Sequence, residues 1–231
     1  RPTMISPRPT VIFDVDGVLV DSYTAHFHSW LALADERGCH RLTEDEFRAT
    51  FGRTSREIIR ELWPGRQLST AEIADLDDRK EELFREMLLA DFRPIPGVRQ
   101  LLVSLKQAGF GLAAGSSGPP PNVWLTIDQL QVRDLFDVVV TGVDVQRGKP
   151  DPEVFQTCAR RLQVPCSTCA VVEDAVVGVE AANRAGMFSI AYVAPGRDRG
   201  LFAHAGRIVQ HMSELVPEDI RGAILQRPGV D

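Results

Sequence analysis

The stretch VIFDVDGVLVDS, residues 11–22, decides how this chain folds. An apolar run reaches two aspartates, Asp14 and Asp16, and Gly17 follows directly. Continuous apolar runs of this kind are typical of a strand that is buried on both faces of a parallel sheet, and ligands bind beyond the carboxyl ends of such strands. The stretch therefore predicts a central strand whose end carries two carboxylates.

Five further runs of β-forming residues follow along the chain, at 110–115, 137–142, 169–173, 188–193 and 207–210. Helical patterns lie between the later runs. Strands that alternate with helices indicate a parallel sheet with helices on both faces. The sequence therefore predicts an α/β fold with a doubly wound, Rossmann-like core.

The gap between the first and second runs is more than ninety residues long and contains helical patterns only. Residues 43–46 and 69–72 fit capping boxes, which mark the starts of two helices. A gap of this length and pattern predicts an all-helical cap domain inserted into the core, with hinges near Ser22 and at 92–96. We place the core at residues 1–22 and 94–231 and the cap at residues 23–93.

Composition limits the partners that we expect. The chain has 231 residues, 44% of them hydrophobic, and carries 26 Lys and Arg against 32 Asp and Glu, a net charge of −6. Neither sign forms long blocks, so we expect no nucleic-acid partner. No apolar run approaches the roughly 18 to 20 residues of a membrane span, and residues 1–10 lack the apolar segment of a secretory signal. We expect a cytoplasmic monomer that binds a small molecule, with its four cysteines as free thiols.

Polar side chains follow four of the predicted strands. They are Asp14 and Asp16, Ser116 and Ser117, Lys149, and Glu173 and Asp174. The carboxyl ends of parallel strands meet at one edge of a sheet, so we expect these groups to converge. About four carboxylates beside one lysine would repel one another, and a hard divalent cation with oxygen ligands removes that repulsion. The pattern predicts a site for Mg²⁺ and phosphate.

These groups suit phosphoryl transfer, which depends on positioning and on stabilisation of charge, and in which a carboxylate can accept the phosphoryl group. Asp14 is the predicted nucleophile and Asp16 the predicted general acid and base. Lys149 supplies a positive charge, and Ser116 or Ser117 donates a hydrogen bond to phosphate.

Four motifs, DVDGVLVDS, AAGSSG, GKPDPEVF and VVEDAVVGVEAANRAGM, occur in this order between residues 11 and 193. Together they resemble the four signature motifs of the haloacid dehalogenase superfamily, specifically its phosphatases and phosphomutases with a helical cap after the first motif. The resemblance implies that Asp14 forms an aspartyl-phosphate. It also implies that Asp16 protonates the leaving group and binds the metal through its backbone carbonyl.

The same resemblance implies that Ser116 holds phosphate and that Lys149 links phosphate and nucleophile. It further implies that Asp174, with Glu173 beside it, completes the metal shell of Asp14 and Asp16.

The predicted cap resembles that of the β-phosphoglucomutases. In DSYTAHFHSW, Ser22 takes the place of a hinge threonine and His26 that of a histidine four residues later. GRTSRE resembles the cap loop of that family, and Arg53 and Arg56 compete for the role of its phosphate-binding arginine. Lys80 falls where the family has a cap lysine that faces the site.

These features predict a magnesium-dependent phosphatase of small phosphorylated metabolites, in particular sugar phosphates. The alternative is a phosphomutase of the β-phosphoglucomutase type, in which a sugar hydroxyl replaces water as the attacking group. A third hypothesis is a catalytically silent protein that binds phosphorylated metabolites, but every required catalytic side chain is present.

Overall fold

A computed structural model gives the structure of the protein and describes residues 8–50, 54–63 and 65–226. Numbered along the chain, the strands are β1 (Thr10–Phe13), β2 (Gly111–Gly115), β3 (Val138–Val140), β4 (Cys169–Glu173), β5 (Phe188–Tyr192) and β6 (Arg207–Val209). All pairs are parallel, and the order across the sheet is β3-β2-β1-β4-β5-β6. Each predicted run corresponds to one strand, so the predicted doubly wound core is confirmed.

The α-helices of the described residues are α1 (Tyr23–Arg37), α2 (Glu44–Arg48), α3 (Ser55–Glu61), α4 (Thr70–Ala90), α5 (Val98–Gln107), α6 (Pro120–Gln129), α7 (Glu153–Leu162), α8 (Val176–Arg184) and α9 (Pro217–Leu225). Apolar residues of α5, α6 and α9 pack on one face of the sheet, and those of α7 and α8 pack on the other. Within the described ranges, no helix combines the length and the apolar character that a membrane span requires.

The central strand β1 shows why both faces must be covered. Its residues are fully buried, and Val11 and Phe13 contribute to one hydrophobic core while Ile12 contributes to the other. Successive side chains of a strand point to opposite faces, so a strand with apolar residues on both faces needs a helix layer on each side.

Helices α1 to α4 form the insertion between β1 and β2 and have a hydrophobic core of their own, which includes Trp30, Leu33, Phe47, Ile59 and Leu83. The capping boxes predicted at 43–46 and 69–72 are both present and begin α2 and α4. The all-helical insertion is therefore present as predicted. The domain limits at 22/23 and 93/94 stay a prediction.

The chain crosses between core and insertion at two neighbouring segments. The backbone N–H of Asp21 donates to the carbonyl of Arg93 at 2.9 Å, and the N–H of Ile95 donates to the carbonyl of Leu19 at 3.0 Å. The two segments thus lie side by side, close to the predicted hinges.

Candidate active site

The register of β1 and β4 places the first carboxylates together. Phe13 pairs with Val172, so Asp14 and Glu173 leave neighbouring strands at the same level. Ligand atoms of Asp14, Glu173 and Asp174 all lie within 4.8 Å of one another. The structure thus brings these predicted residues together at the switch point of the sheet, where the strand order reverses.

Lys149 lies between two of these carboxylates. Its Nζ is 2.6 Å from Oδ1 of Asp14 and 2.6 Å from Oε1 of Glu173. Burial lowers the pKa of Lys149, but the two carboxylates outweigh burial and hold that pKa above its usual value. The lysine therefore stays charged and neutralises part of the cluster.

Asp14 and Asp174 are poorly solvated, and burial therefore disfavours their charged forms. Asp14 is 7% exposed, and burial raises its pKa well above the usual value although Lys149 opposes the shift. Burial, together with the charge of Glu173, raises the pKa of Asp174 to about 7. Carboxylates that are crowded in this way favour binding of a further cation.

The donor set fits a divalent metal, because carboxylate oxygens are the ligands that hard cations prefer. Two glycines provide the space for these carboxylates. A Cβ atom added to Gly17 would lie 2.3 Å from Oδ2 of Asp174, and one added to Gly178 would lie 1.9 Å from Oε1 of Glu173. The chain thus provides an acidic cluster suited to a divalent metal.

The neighbours of Glu173 and Asp174 differ. Glu173 uses both oxygens within the protein, since its Oε2 accepts the backbone N–H of Ala175 at 2.6 Å while Oε1 meets Lys149. Asp174 accepts a hydrogen bond from Arg197 at Oδ2, at 2.9 Å. Sequence reasoning missed Arg197, although its place in the loop after a strand end was a signal.

Asp16 faces the inserted helices instead of the carboxylate cluster. Its Oδ1 lies 3.4 Å from Nε2 of His26 on α1. Burial raises the pKa of Asp16, but hydrogen bonds from His26 and Ser22 and the charge of His26 outweigh burial and lower it. A metal contact of Asp16 through its backbone carbonyl, as the family resemblance implies, stays a prediction.

The two adjacent serines have different environments. Ser116 is buried, and its Oγ accepts the N–H of Gly118 at 2.9 Å. A Cβ on Gly118 would lie 3.8 Å from Oδ2 of Asp16, so this loop borders the acid. Ser117 is exposed. The geometry therefore favours Ser116 as the phosphate ligand.

The predicted cap residues are only partly brought together. Lys80 is 2% exposed, and its Nζ lies 3.0 Å from Nδ1 of His26 and 2.9 Å from Oε1 of Glu81. Arg56 is exposed, and its Nε donates to Oδ2 of Asp77 at 2.9 Å within the insertion itself. The competing Arg53 lies outside the described residues.

Fold and site together define a class of protein: an α/β phosphoryl-transfer enzyme whose acidic crevice is approached by an inserted set of helices. A family model described as haloacid dehalogenase-like hydrolase matches residues 11–192, and the chain belongs to this family.

Relatives of known name agree with that class. A phosphorylated carbohydrates phosphatase of Thermotoga maritima is 34% identical over 185 residues, which cover 77% of this chain and 81% of that protein. A beta-phosphoglucomutase of Bacillus subtilis is 32% identical over 189 residues, which cover 78% of this chain and 81% of that protein. The chain is therefore a phosphatase or phosphomutase of the haloacid dehalogenase superfamily.

A solved structure shows the same architecture. The crystal structure of a HAD hydrolase, family IA, variant 3, from Entamoeba histolytica superposes with a TM-score of 0.84 at 26% identity. The match covers 93% of this chain and 98% of that chain, so it includes both the core and the helical insertion.

Proposed function

We propose that the protein is a magnesium-dependent phosphatase of small phosphorylated metabolites, in particular sugar phosphates, and that it acts through an aspartyl-phosphate on Asp14. The observation that carries this proposal is the position of Lys149 between Asp14 and Glu173, with Asp174 in the same cluster. Such a site can hold a phosphate, a metal and a carboxylate nucleophile together.

The first half of the reaction follows from the residues in place. Lys149 holds Oδ1 of Asp14, which leaves Oδ2 to attack phosphorus while the bond from phosphorus to the leaving alkoxide breaks. The proton for that alkoxide comes from Asp16 in its acid form, and Ser116 donates its hydroxyl to the phosphate. A divalent cation held by Asp14, Asp174 and the Asp16 carbonyl would neutralise negative charge on the phosphate.

The second half returns the enzyme to its starting state. Asp16, now ionised, accepts a proton from water as the water oxygen attacks the phosphorus of the aspartyl-phosphate. Inorganic phosphate leaves and the carboxylate of Asp14 is regenerated. The lowered pKa of Asp16 beside His26 suits this half of the reaction, because it favours the proton-accepting form.

The groups that could hold a second phosphate of the substrate favour hydrolysis over isomerisation. A mutase has to hold a sugar that carries two phosphates. The loop after Ser116 leads through Ser117 and Gly118 to the prolines 119–121, of which the last two begin α6, and prolines have no N–H to donate. Lys80 and Arg56, the cap cations predicted to hold that phosphate, are paired with acidic side chains of the insertion.

A phosphomutase is the second candidate, and one observation favours it. Lys80 is buried and contacts His26, which in turn contacts Asp16, in the arrangement that the resemblance to β-phosphoglucomutases leads us to expect. The beta-phosphoglucomutase of B. subtilis is also among the relatives.

One experiment separates the two activities. The protein is incubated with Mg²⁺ and β-glucose 1-phosphate primed by glucose 1,6-bisphosphate, in parallel with a panel of sugar phosphates and phosphoglycolate. Inorganic phosphate and glucose 6-phosphate are both followed. We expect phosphate release without isomerisation; rapid formation of glucose 6-phosphate with little free phosphate would establish the mutase instead.

Asp14→Asn tests the mechanism. We expect it to abolish turnover while the circular dichroism spectrum stays unchanged, because an amide is a poor nucleophile. Asp128→Asn is the matched control, since Asp128 is an exposed aspartate paired with Arg133. Unchanged activity of purified Asp14→Asn would rule out the aspartyl-phosphate. Binding of phosphates without turnover by the unaltered chain would support the silent binding protein.

A further inference from the structure

Apart from the crossing segments, the insertion also meets the core where α4 lies against α6. The side chain of Asn122 on α6 is held there at both ends. Its Nδ2 donates to Oε2 of Glu81 at 2.6 Å, and its Oδ1 accepts a hydrogen bond from Nη1 of Arg85 at 2.9 Å. Residues 81 and 85 lie four apart on α4 and therefore share one face of that helix. One helix of the insertion thus binds both polar atoms of the amide.

The contact is buried and prepared in advance. Asn122 is 3% exposed and Glu81 is 8% exposed. Oε1 of Glu81 accepts hydrogen bonds from Ser55 at 2.8 Å and from Lys80 at 2.9 Å, so other helix residues of the insertion orient the carboxylate. Hydrogen bonds to charged groups are stronger than neutral ones, and a buried amide that faces the wrong partner is costly. The contact therefore selects one position of α4 on α6.

The position of α4 on α6 affects the site because both helices are connected to groups that border the crevice. Helix α6 begins directly after the loop that carries Ser116. On the other side, Nζ of Lys80 contacts both Glu81 and His26, and His26 contacts Asp16. The insertion thus contacts the core on both sides of the crevice, next to the phosphate loop and at the acid.

We propose that Asn122, Glu81 and Arg85 form a clasp that holds the helical insertion closed over the crevice, with Asn122 as a positioning residue. When the site is closed to water, the clasp holds Lys80 and His26 of the insertion against Asp16 of the core. This catalytic consequence rests on the proposed function, whereas the closure itself does not.

Asn122→Asp tests the clasp, because it places a second carboxylate against Glu81. Adding Glu81→Gln to that variant supplies an amide that can donate to the new carboxylate, while Arg85 can still donate to it. Glu82→Gln is the matched control, since Glu82 is the exposed neighbour of Glu81 and pairs with Arg79 on the surface.

The first readout is hydrogen exchange of the backbone at residues 19–22 and 92–95 in the full chain without substrate. We expect Asn122→Asp to exchange at least about tenfold faster than the unaltered protein, and the double variant to return to within about threefold of it. Glu82→Gln should exchange at the original rate. Unchanged exchange in Asn122→Asp, or a double variant as fast as the single one, would overturn the clasp.

The second readout is steady-state kinetics with the preferred phosphate. We expect Asn122→Asp to raise KM at least about tenfold and to lower kcat less, because closure is lost while the reacting groups are kept. A fall in kcat with KM unchanged would contradict a positioning role.

Arg85→Gln secures the test if Asn122→Asp does not fold by circular dichroism. It removes one charged partner from a half-buried helix surface, and we expect exchange at least about threefold faster at the same segments. Unchanged exchange in this variant would also overturn the clasp. If no phosphate is turned over by the unaltered protein, the proposed function fails, and the exchange measurements still decide whether the clasp exists.

Discussion

Replacing Lys149 with methionine removes the positive charge that lies 2.6 Å from an oxygen of Asp14 and 2.6 Å from an oxygen of Glu173. The carboxylates of the cluster then face one another without a cation. Removing one partner of a buried ion pair costs about 3–5 kcal/mol. For a chain of this size each 1 kcal/mol shifts Tm by about 2–4 °C, so Lys149→Met should melt roughly 6–20 °C lower.

Lys106→Met is the matched control. Lys106 also lies 2.6 Å from a carboxylate, that of Asp137, but both side chains are partly exposed. Exposed ion pairs contribute about 0–1 kcal/mol, so removal of Lys106 should lower the free energy of unfolding much less, although the ion-pair distance is the same. The comparison isolates burial as the cause.

The assays are thermal melting and urea unfolding of both variants with a chelator present, at about pH 8, because protonation of the cluster at lower pH would hide part of the loss. Addition of Mg²⁺ should then stabilise Lys149→Met more than the unaltered protein, since a bound ion stabilises the folded state and supplies the missing charge. A loss below about 1 kcal/mol, equal to that of Lys106→Met, would refute the electrostatic account of the site.

Three further predictions concern the same core. The folded-state pKa of Asp174, about 7, exceeds its usual value of 3.8, so the stability that this group gives the metal-free protein is present at low pH and is lost as pH rises from about 4 to about 7. In urea unfolding, Asp174→Asn should therefore weaken the dependence of stability on pH in this range. An unchanged dependence would mean that other groups cause it. Gly178→Ala should weaken Mg²⁺ binding by about tenfold in titration calorimetry, because the added methyl would lie 1.9 Å from a carboxylate oxygen of Glu173. Gly222→Ala is the control and should bind Mg²⁺ as before, since a methyl added at Gly222 would have no neighbouring atom within 4 Å. Burial raises the pKa of Cys158 and of Cys169 to about 12, so at about pH 8 a thiol reagent should modify these two more slowly than the partly buried Cys39 and Cys166; equal rates at all four would contradict that burial.

The sheet was predictable because its signal is local. Each strand is a short apolar run between helical patterns, and the chemistry of a site at parallel strand ends follows from topology alone. The sequence alone therefore predicts that Asp14, Ser116, Lys149 and Asp174 lie near one another. The limits of five strands differ from the predicted runs by one or two residues, whereas those of β4 match its run.

Contacts between long polar side chains were not predictable in the same way. Arg56 stands in a motif that suggests phosphate binding, yet Asp77, which is 21 residues further along, pairs with it. Asn122 and Glu81 are 41 residues apart, and nothing in the local pattern of either residue indicates the other. Such partners are chosen by the packing of helices against one another, which a single sequence does not display.

The two neighbouring crossings, with Asp21 bonded to Arg93 and Ile95 bonded to Leu19, also bear on how the chain reaches its fold. Strand β1 pairs with β2, which lies about one hundred residues later in the chain, and contacts at such sequence separations slow folding. If the helical insertion folds first, it brings its own ends side by side, and the core then closes a short loop instead of a long one. We therefore expect the insertion to act as an early folding unit that brings β1 to its partner strands. Destabilising the hydrophobic core of the insertion should then slow the assembly of the sheet.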